Sequence, residues 1–144
     1  MTLADHDGQL NYQELVNHIY QTNTFDFVGL ALKSDDFSRN IKWYFVAGNQ
    51  SEQFRKIVLR SGIGIAGLVV RTGKPFWKNQ LQCYSFTDAM YTPIARVESL
   101  TSAAAVPLVD SVTRQVNGVL LAGYRHDEKV SEQTTRRLSQ YLRQ

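Results

Sequence analysis

The segment SGIGIAGLVVRTGKP, residues 61–75, contains the glycine pattern G-x-G-x-x-G, formed by Gly62, Gly64 and Gly67. In dinucleotide-binding domains this pattern follows a strand, opens a long helix and leads into a parallel sheet. The helix predicted here runs only from Ile65 to Thr72, about two turns. Gly73 then supplies a left-handed, helix-ending position, and Pro75 prevents continuation. We therefore interpret the pattern as the start of a short buried helix and not as a dinucleotide site.

The start of this helix predicts a binding feature. The N–H groups of a first helical turn have no partner inside the helix and are usually satisfied by a Ser, Thr, Asp or Asn cap. With Gly64 as the N-cap, no side chain is available, and the amides of Ile65, Ala66 and Gly67 stay free at the positive end of the helix dipole. Such a site suits a small anion or a carbonyl oxygen. Water or a neighbouring loop could equally satisfy the same amides.

The composition is that of one ordinary soluble domain. The chain has 144 residues, of which 43% are hydrophobic and 20% are charged, enough for a sizeable core. No apolar run approaches the roughly 18 residues of a membrane span, and the first residues, MTLADHDGQL, lack the features of a signal peptide. Cys83 is the single cysteine, so no internal disulfide can form. We therefore expect a cytoplasmic protein without a membrane partner.

The charge pattern argues against a nucleic-acid partner. The net charge is +3, from 16 basic and 13 acidic residues. Arg136 and Arg137 make the last segment basic, but Glu128 and Glu132 lie close by in sequence. A nucleic-acid footprint is normally denser, so we interpret the segment as a solvated helix face.

Hydrophobic periodicity and turn residues divide the chain into helices and hairpins. An amphipathic helix over 10–23 follows a tail of residues 1–9, and a final helix begins at Ser131. Strands are expected at 25–34, 41–49, 74–79, 102–110 and 117–125. Residues 51–62 fit either a helix or a strand, and a further short helix has Thr92 as N-cap and Pro93 as its first residue. This order predicts an α+β fold with a mainly antiparallel central sheet of about five to six strands, flanked by helices, in one domain over 10–144.

Three segments together resemble a GAF domain. They are GIGIAGLVVRTGKPF, the strand SAAAVPLVD, and NGVLLAGYR before a C-terminal helix. GAF domains share this helix start, the Thr-Gly-Lys-Pro ending and a late hairpin in which a V-P-L strand precedes a G-V-L strand. The resemblance covers Leu10 to the C-terminus and implies the fold. It does not by itself identify a ligand, because GAF domains host many.

Several branches of the GAF family lack a match here. Cyclic-nucleotide-binding members carry an Asn-Lys-Phe-Asp type of motif, which is absent from this sequence. Bilin-binding members use a cysteine followed by His, whereas Cys83 precedes Tyr84. Members that reduce free methionine sulfoxide use several cysteines, so a cycle based on Cys83 would need an outside thiol. The simplest interpretation of Cys83 is a small, partly buried apolar residue.

The branch that fits is that of stand-alone nitrate receptors of the staphylococcal type, which act beside an oxygen-sensing histidine kinase. The matching segments are FDFVGLALK, IKWYFVAGN and YTPIARVES. In that branch, main-chain amides at short helix starts and a tryptophan bind nitrate in a closed pocket. Residue by residue, the resemblance implies that the anion contacts Trp43, Ile65, Ala66 and Ile94. Weaker pocket candidates are Gly67, Tyr44, Tyr91, Ala95 and Arg96.

These residue types suit nitrate, whose single charge is spread over three oxygens. Pro93 has no N–H, so Ile94 has the first free amide of its helix. The Trp43 indole N–H donates but cannot accept. If its side chain alternates with Lys42 and Tyr44, it points away from both. A tryptophan in an apolar strand is, however, more often a core residue.

The sequence predicts a sensor and not an enzyme. His6, His18 and His126 have no orienting partner at a persuasive spacing, and we expect no catalytic residue, cofactor or metal. The expected partners are nitrate and a sensor histidine kinase, which the resemblance implies is inhibited by the ligand-free form; self-association as a homodimer stays open. The alternatives are a GAF module for another small metabolite, a free methionine sulfoxide reductase, and an adaptor domain without a ligand.

Overall fold

The computed structural model describes residues 8–83 and 93–143. Within these ranges the chain forms four α-helices and six strands. The helices are α1 (Gly8–Thr22), α2 (Gly64–Thr72), α3 (Pro93–Val97) and α4 (Glu132–Leu142). The strands are β1 (Phe27–Lys33), β2 (Ile41–Ala47), β3 (Val58–Leu59), β4 (Phe76–Asn79), β5 (Ser102–Val109) and β6 (Val116–Tyr124). Two single-turn 3-10 helices lie at Gln53–Lys56 and Leu81–Cys83.

The six strands form one antiparallel sheet in the order β3-β2-β1-β6-β5-β4. The predicted α+β fold with its antiparallel sheet and its two hairpins, β1–β2 and β5–β6, is therefore confirmed. The β1–β2 pairing shifts register once: Leu30 lies opposite Phe45, whereas Ala31 lies opposite Trp43. Tyr44 is the extra residue of this β-bulge.

Each face of the sheet is covered, which explains why its central strands are nearly continuously apolar. Side chains alternate between the two faces along a strand. One face, with Ala103, Ala105 and Leu121, packs against α2 and α3. The other, with Val106 and Leu120, packs against α1 and α4. Because a strand buried on both faces needs apolar residues at every position, the sequence of β5 shows no polar alternation.

The helix ends explain why α2 is short. Gly73 follows α2 with φ of 69°, and its amide donates to the Val69 carbonyl oxygen, so the helix stops where it was predicted to stop. Residues 51–62, whose sequence fits either a helix or a strand, contain one of each: the 3-10 helix Gln53–Lys56 and the short strand β3. α1 begins at Gly8, before the predicted Leu10. In the described ranges, no helix is long and apolar enough to cross a membrane.

Candidate functional site

Trp43 points into the core between the sheet and the two short helices α2 and α3. Its side chain is only 2% exposed, whereas that of its neighbour Tyr44 is 48% exposed. Gly29 on β1 makes room for the ring, because a Cβ there would lie 3.2 Å from Cε3 of Trp43. Trp43 therefore points away from Tyr44, as the alternation predicts, and its indole lies in the core on the sheet face that also carries α2 and α3.

The indole nitrogen of Trp43 has an unmet hydrogen-bonding requirement. Trp43 Nε1 is buried and has no hydrogen-bond partner among residues 8–83 and 93–143. A buried donor without an acceptor costs about 1–3 kcal/mol, and most buried polar groups in folded proteins are paired. Because an indole N–H can only donate, the group that would satisfy it must offer a lone pair.

The start of α2 lies in the same core and lacks a side-chain cap. Its N-cap is Ile63, which is extended at φ −107° and ψ 127° and makes no side-chain cap bond. The prediction of Gly64 as N-cap is wrong, because the Gly67 amide donates to the Ile63 carbonyl oxygen at 3.2 Å and closes the first turn one residue earlier. Gly64 instead turns the chain into the helix in a left-handed conformation, with φ of 69°.

Two of the three amides predicted to be free have no acceptor in the described part of the chain, namely those of Ile65 and Ala66. Both residues are fully buried. The third prediction is wrong, because the Gly67 amide is used by its bond to Ile63. The open amides carry the positive end of the α2 dipole into an apolar region, where partial charges interact strongly.

Helix α3 brings a further amide to this core. Pro93 is its first residue, as predicted, so Ile94 carries the first N–H. Ile94 is fully buried and Ala95 is 7% exposed. The described residues include no acceptor for the Ile94 amide, and Thr92, the predicted N-cap of this helix, lies outside them. Tyr91, the pocket candidate that precedes α3, lies outside the described residues.

One hydrophobic cluster contains Trp43, Ile65, Ala66, Ile94 and Ala95. The 18 buried residues of this cluster include the four residues implied by the resemblance and one weaker candidate, so all five lie in the core on the same face of the sheet. The structure does not bring Tyr44 to them: Tyr44 points away from Trp43, as the alternation along β2 predicts, and its ring centroid lies 6.3 Å from that of Phe45. Arg96 is exposed on the outer side of α3.

The side chains of this cluster are apolar except for the Trp43 indole N–H, so its other hydrogen-bonding groups are those of the backbone. The arrangement therefore suits an acceptor with little or spread charge, which does not need a full counter-charge. No group of three or more potential metal ligands occurs in the described ranges. A surface groove of about 640 Å³ between β4 and α4, around Trp77 and Arg136, includes none of the predicted site residues.

The residues considered for catalysis are placed apart from this cluster. Cys83 is exposed, which corrects the expectation of a partly buried apolar residue: Leu81 occupies the core position of that 3-10 turn, so Cys83 faces outwards. His18 and His126 are exposed, as expected. His6 lies outside the described residues.

A buried ion pair near α3 was missed at the sequence level. Glu98 directly follows α3 and is fully buried, and its Oε1 lies 2.5 Å from Nη2 of Arg125. Burial raises the pKa of the Glu98 carboxyl, against the opposing effects of the Gln50 amide and Arg125. The available signal was a single acidic residue between the buried positions Ala95 and Leu100, but no local pattern identified its partner 27 residues away.

The solved structures that are similar to this chain include two from Staphylococcus aureus. One is the hypothetical protein SA1058, with 36% identity, a TM-score of 0.74, and coverage of 84% of this chain and 98% of that one. The other is an NreA protein mutated in its nitrate-binding site, with 35% identity, a TM-score of 0.76, and coverage of 87% and 91%. No protein-family model and no curated protein sequence matches the chain.

More distant structures share the fold alone. The GAF domain of an Acinetobacter phosphoenolpyruvate-protein phosphotransferase is 16% identical, with a TM-score of 0.73 over 96% of this chain and 79% of that one. A free methionine-R-sulfoxide reductase from Neisseria meningitidis is 18% identical, with a TM-score of 0.77 over 98% and 77%. At such identities, the shared architecture carries no inference about activity.

Proposed function

Because the chain belongs to the GAF family, in the branch of the staphylococcal NreA protein, we propose that it binds nitrate between β2, α2 and α3. The observation that carries the proposal is the Trp43 indole N–H, which is buried without an acceptor in the described residues. It lies in the same cluster as the uncapped start of α2. Nitrate offers only acceptors, and the unpartnered Trp43 Nε1 is a group that can only donate.

The proposed contacts divide among three elements. Trp43 Nε1 donates from the sheet, the amides of Ile65 and Ala66 donate from α2, and the Ile94 amide donates from α3. Four donors around three oxygens leave each oxygen with at least one hydrogen bond. The buried side chains of Ile94 and Ala95 exclude water, which strengthens those bonds.

The donors proposed for the anion are backbone amides and an indole N–H, and such neutral donors favour a singly charged, weakly hydrated anion. A carboxylate or a phosphate is matched better by the paired donors of an arginine. The helix dipole supplies roughly half an elementary charge, which suits a charge spread over three oxygens. We therefore expect nitrate to bind more tightly than chloride or phosphate. Another small metabolite with acceptor groups only is the alternative ligand for the same donors.

We further propose that nitrate acts by changing how the protein binds a sensor histidine kinase in the cytoplasm. A ligand can shift an equilibrium only if it binds two conformations with different affinities. The proposed amide donors are on the short helices α2 and α3, and α3 has a single turn. If α2 and α3 close around the anion, the closed conformation binds nitrate more tightly than the open one. The kinase would then distinguish the two conformations by the outer surface of these helices.

A binding role also accounts for the single cysteine better than a reductase role does. Cys83 is exposed, and it is not a member of the cluster that contains Trp43. A methionine sulfoxide reductase cycle would oxidise the attacking thiol and would then need a second thiol to resolve it. With one cysteine in the sequence, that second thiol would have to come from outside.

The test is thermal unfolding in sodium nitrate against equal sodium chloride. A ligand at about 100 times its Kd adds roughly 2.7 kcal/mol to the free energy of unfolding, and Tm should rise by several degrees. Trp43→Phe keeps the aromatic packing but removes the donor, so the rise should shrink. Trp77→Phe is the matched control, because Trp77 is 44% exposed on β4, away from the cluster. Equal curves in both salts would contradict the proposal.

A further inference from the structure

Glu98 links the end of α3 to the rest of the domain. Its amide donates to the Ile94 carbonyl oxygen at 3.0 Å, so it continues the turn that carries the Ile94 amide. Its carboxylate Oε1 accepts from the Gln50 amide at 2.8 Å and from Arg125 Nη2 at 2.5 Å. Oε2 is buried and has no partner among the described residues. Because the Glu98 side chain is buried and bonded to Gln50 and Arg125, it fixes the position of the backbone at the end of α3.

Arg125 joins three chain segments through one guanidinium group. It follows β6, and its side chain is 14% exposed. Besides Glu98 Oε1, it donates to the Glu98 carbonyl oxygen at 2.7 Å, to the Asp26 carbonyl oxygen at 3.1 Å and to the Gly48 carbonyl oxygen at 2.9 Å. Glu98 directly follows α3, Asp26 directly precedes β1, and Gly48 directly follows β2. Arg125 thus connects the end of α3 directly to the end of β2.

The two connected elements carry different donors of the proposed anion site. β2 carries Trp43, and α3 carries Ile94. A helix of a single turn has little internal stability, so its position depends on tertiary contacts. The distance between the Trp43 indole and the Ile94 amide therefore depends on how firmly Arg125 holds α3 against β2.

We infer that Arg125 and Glu98 are positioning residues that hold α3 where the Ile94 amide and the Trp43 indole contact the same anion. This inference rests on the proposed nitrate site. Arginine is required because its planar group donates to several acceptors in fixed directions. Lysine retains the charge but cannot reach the carbonyl oxygens of Asp26, Gly48 and Glu98 together.

The experiment is calorimetric titration of sodium nitrate into the wild type, Arg125→Lys and Glu98→Gln. Each variant is titrated well below its own Tm, so that all are folded. Asn79→Ala is the matched control: the Asn79 side chain donates to the Val130 carbonyl oxygen at 3.1 Å and accepts from the Val130 amide at 2.8 Å. It also joins distant segments, but its partner Val130 belongs to the hydrophobic cluster on the opposite face of the sheet from Trp43.

Arg125→Lys should weaken nitrate binding about tenfold, the effect of losing one well-placed hydrogen bond. Glu98→Gln should weaken it less, since the amide oxygen still accepts from Gln50 and Arg125. Asn79→Ala should bind within about twofold of the wild type, because loss of remote contacts leaves the site intact.

Two outcomes would overturn the inference while leaving the nitrate site standing. One is unchanged nitrate affinity in Arg125→Lys. The other is an equal loss in Asn79→Ala, which would mean that general destabilisation weakens binding. If the wild type itself does not bind nitrate, the proposed function fails, and the positioning role of Arg125 fails with it.

Discussion

Two helices of this domain begin in opposite ways. α4 has a complete capping box: Ser131 Oγ accepts from the Gln133 amide at 3.2 Å, and Thr134 Oγ1 accepts from the Ser131 amide at 3.0 Å. α2 begins after Ile63, whose side chain makes no cap bond. The capped start is exposed, where water would satisfy open amides, whereas the uncapped start is buried, where water is scarce.

This difference is the reverse of what stability alone would select. A side-chain cap contributes about 1 kcal/mol, and the contribution should matter most where the amides are buried. The chain instead leaves α2 open beside a tryptophan whose N–H also has no acceptor among the described residues. Donors that are left open together in one apolar cluster are best explained by a shared acceptor.

The largest expected effect comes from closing the open helix start. Ile63 is 55% exposed and has the extended conformation of an N-cap residue. In Ile63→Asp, the carboxylate should accept from the Ile65 or Ala66 amide and repel an anion. We expect nitrate affinity to fall more than about a hundredfold, while the ligand-free protein gains up to about 1 kcal/mol. Calorimetry and chemical unfolding measure the two effects.

Ile63→Ser separates capping from charge in that experiment. Serine competes for the same amides without adding a negative charge, so its effect on nitrate affinity should have the same direction and a smaller size. Unchanged affinity in both variants would mean that the start of α2 does not contact nitrate.

A smaller effect is expected from opening the closed start. Ser131→Ala removes the acceptor for the Gln133 amide and should lower the free energy of unfolding by about 1 kcal/mol. Nitrate affinity should not change, because α4 packs on the opposite face of the sheet from Trp43. Urea unfolding with and without nitrate checks both statements. A loss of affinity in this variant would show that helix starts affect binding only through overall stability.

The smallest expected effect is a pH dependence that separates a buried from an exposed ion pair. Glu98 is fully buried and the Arg125 side chain is 14% exposed, whereas Glu132 and Arg136, 3.1 Å apart, are about 70% exposed. Burial raises the folded-state pKa of Glu98 above its usual 4.5. Between these two pKa values the folded protein holds more protons than the unfolded chain, so this contribution to stability is lost as pH rises.

Glu98→Gln lacks that titration, so the stability advantage of the wild type over this variant should shrink as pH rises above about 4.5. Glu132→Gln should differ from the wild type by a small amount that does not depend on pH in the same range, as is typical of exposed pairs. Tm measured from pH 4.5 to 7 tests both variants. An advantage that grows with pH would mean that Glu98 is stabilised as a carboxylate.

Local patterns predicted the fold because its main elements are defined by neighbours in sequence. Gly73 and Pro75 ended α2 as expected, Pro93 began α3, and the apolar runs of β5 and β6 formed the predicted hairpin. The same patterns indicated that Trp43 points away from Lys42 and Tyr44, but they did not indicate which face of the sheet it occupies. The family resemblance then selected residues that the structure gathers into one cluster.

The remaining features depend on contacts between distant residues. The register shift at Tyr44 arises from pairing with β1, and it directs Phe45 to the opposite face of the sheet from Trp43. The first turn of α2 closed at Ile63 because of a bond to the Gly67 amide, which no cap preference would predict. The pair of Glu98 and Arg125 joins residues that only the folded sheet brings together.

The most direct test of the central claim observes the indole proton of Trp43 itself. The chain has two tryptophans, Trp43 and Trp77, so a proton–nitrogen NMR spectrum should show two indole signals, which Trp77→Phe assigns. If Trp43 donates to nitrate, adding sodium nitrate should move its signal to higher frequency, while sodium chloride at the same concentration should not. The Trp77 signal should stay in place. A Trp43 signal that is unchanged at saturating nitrate would contradict the account.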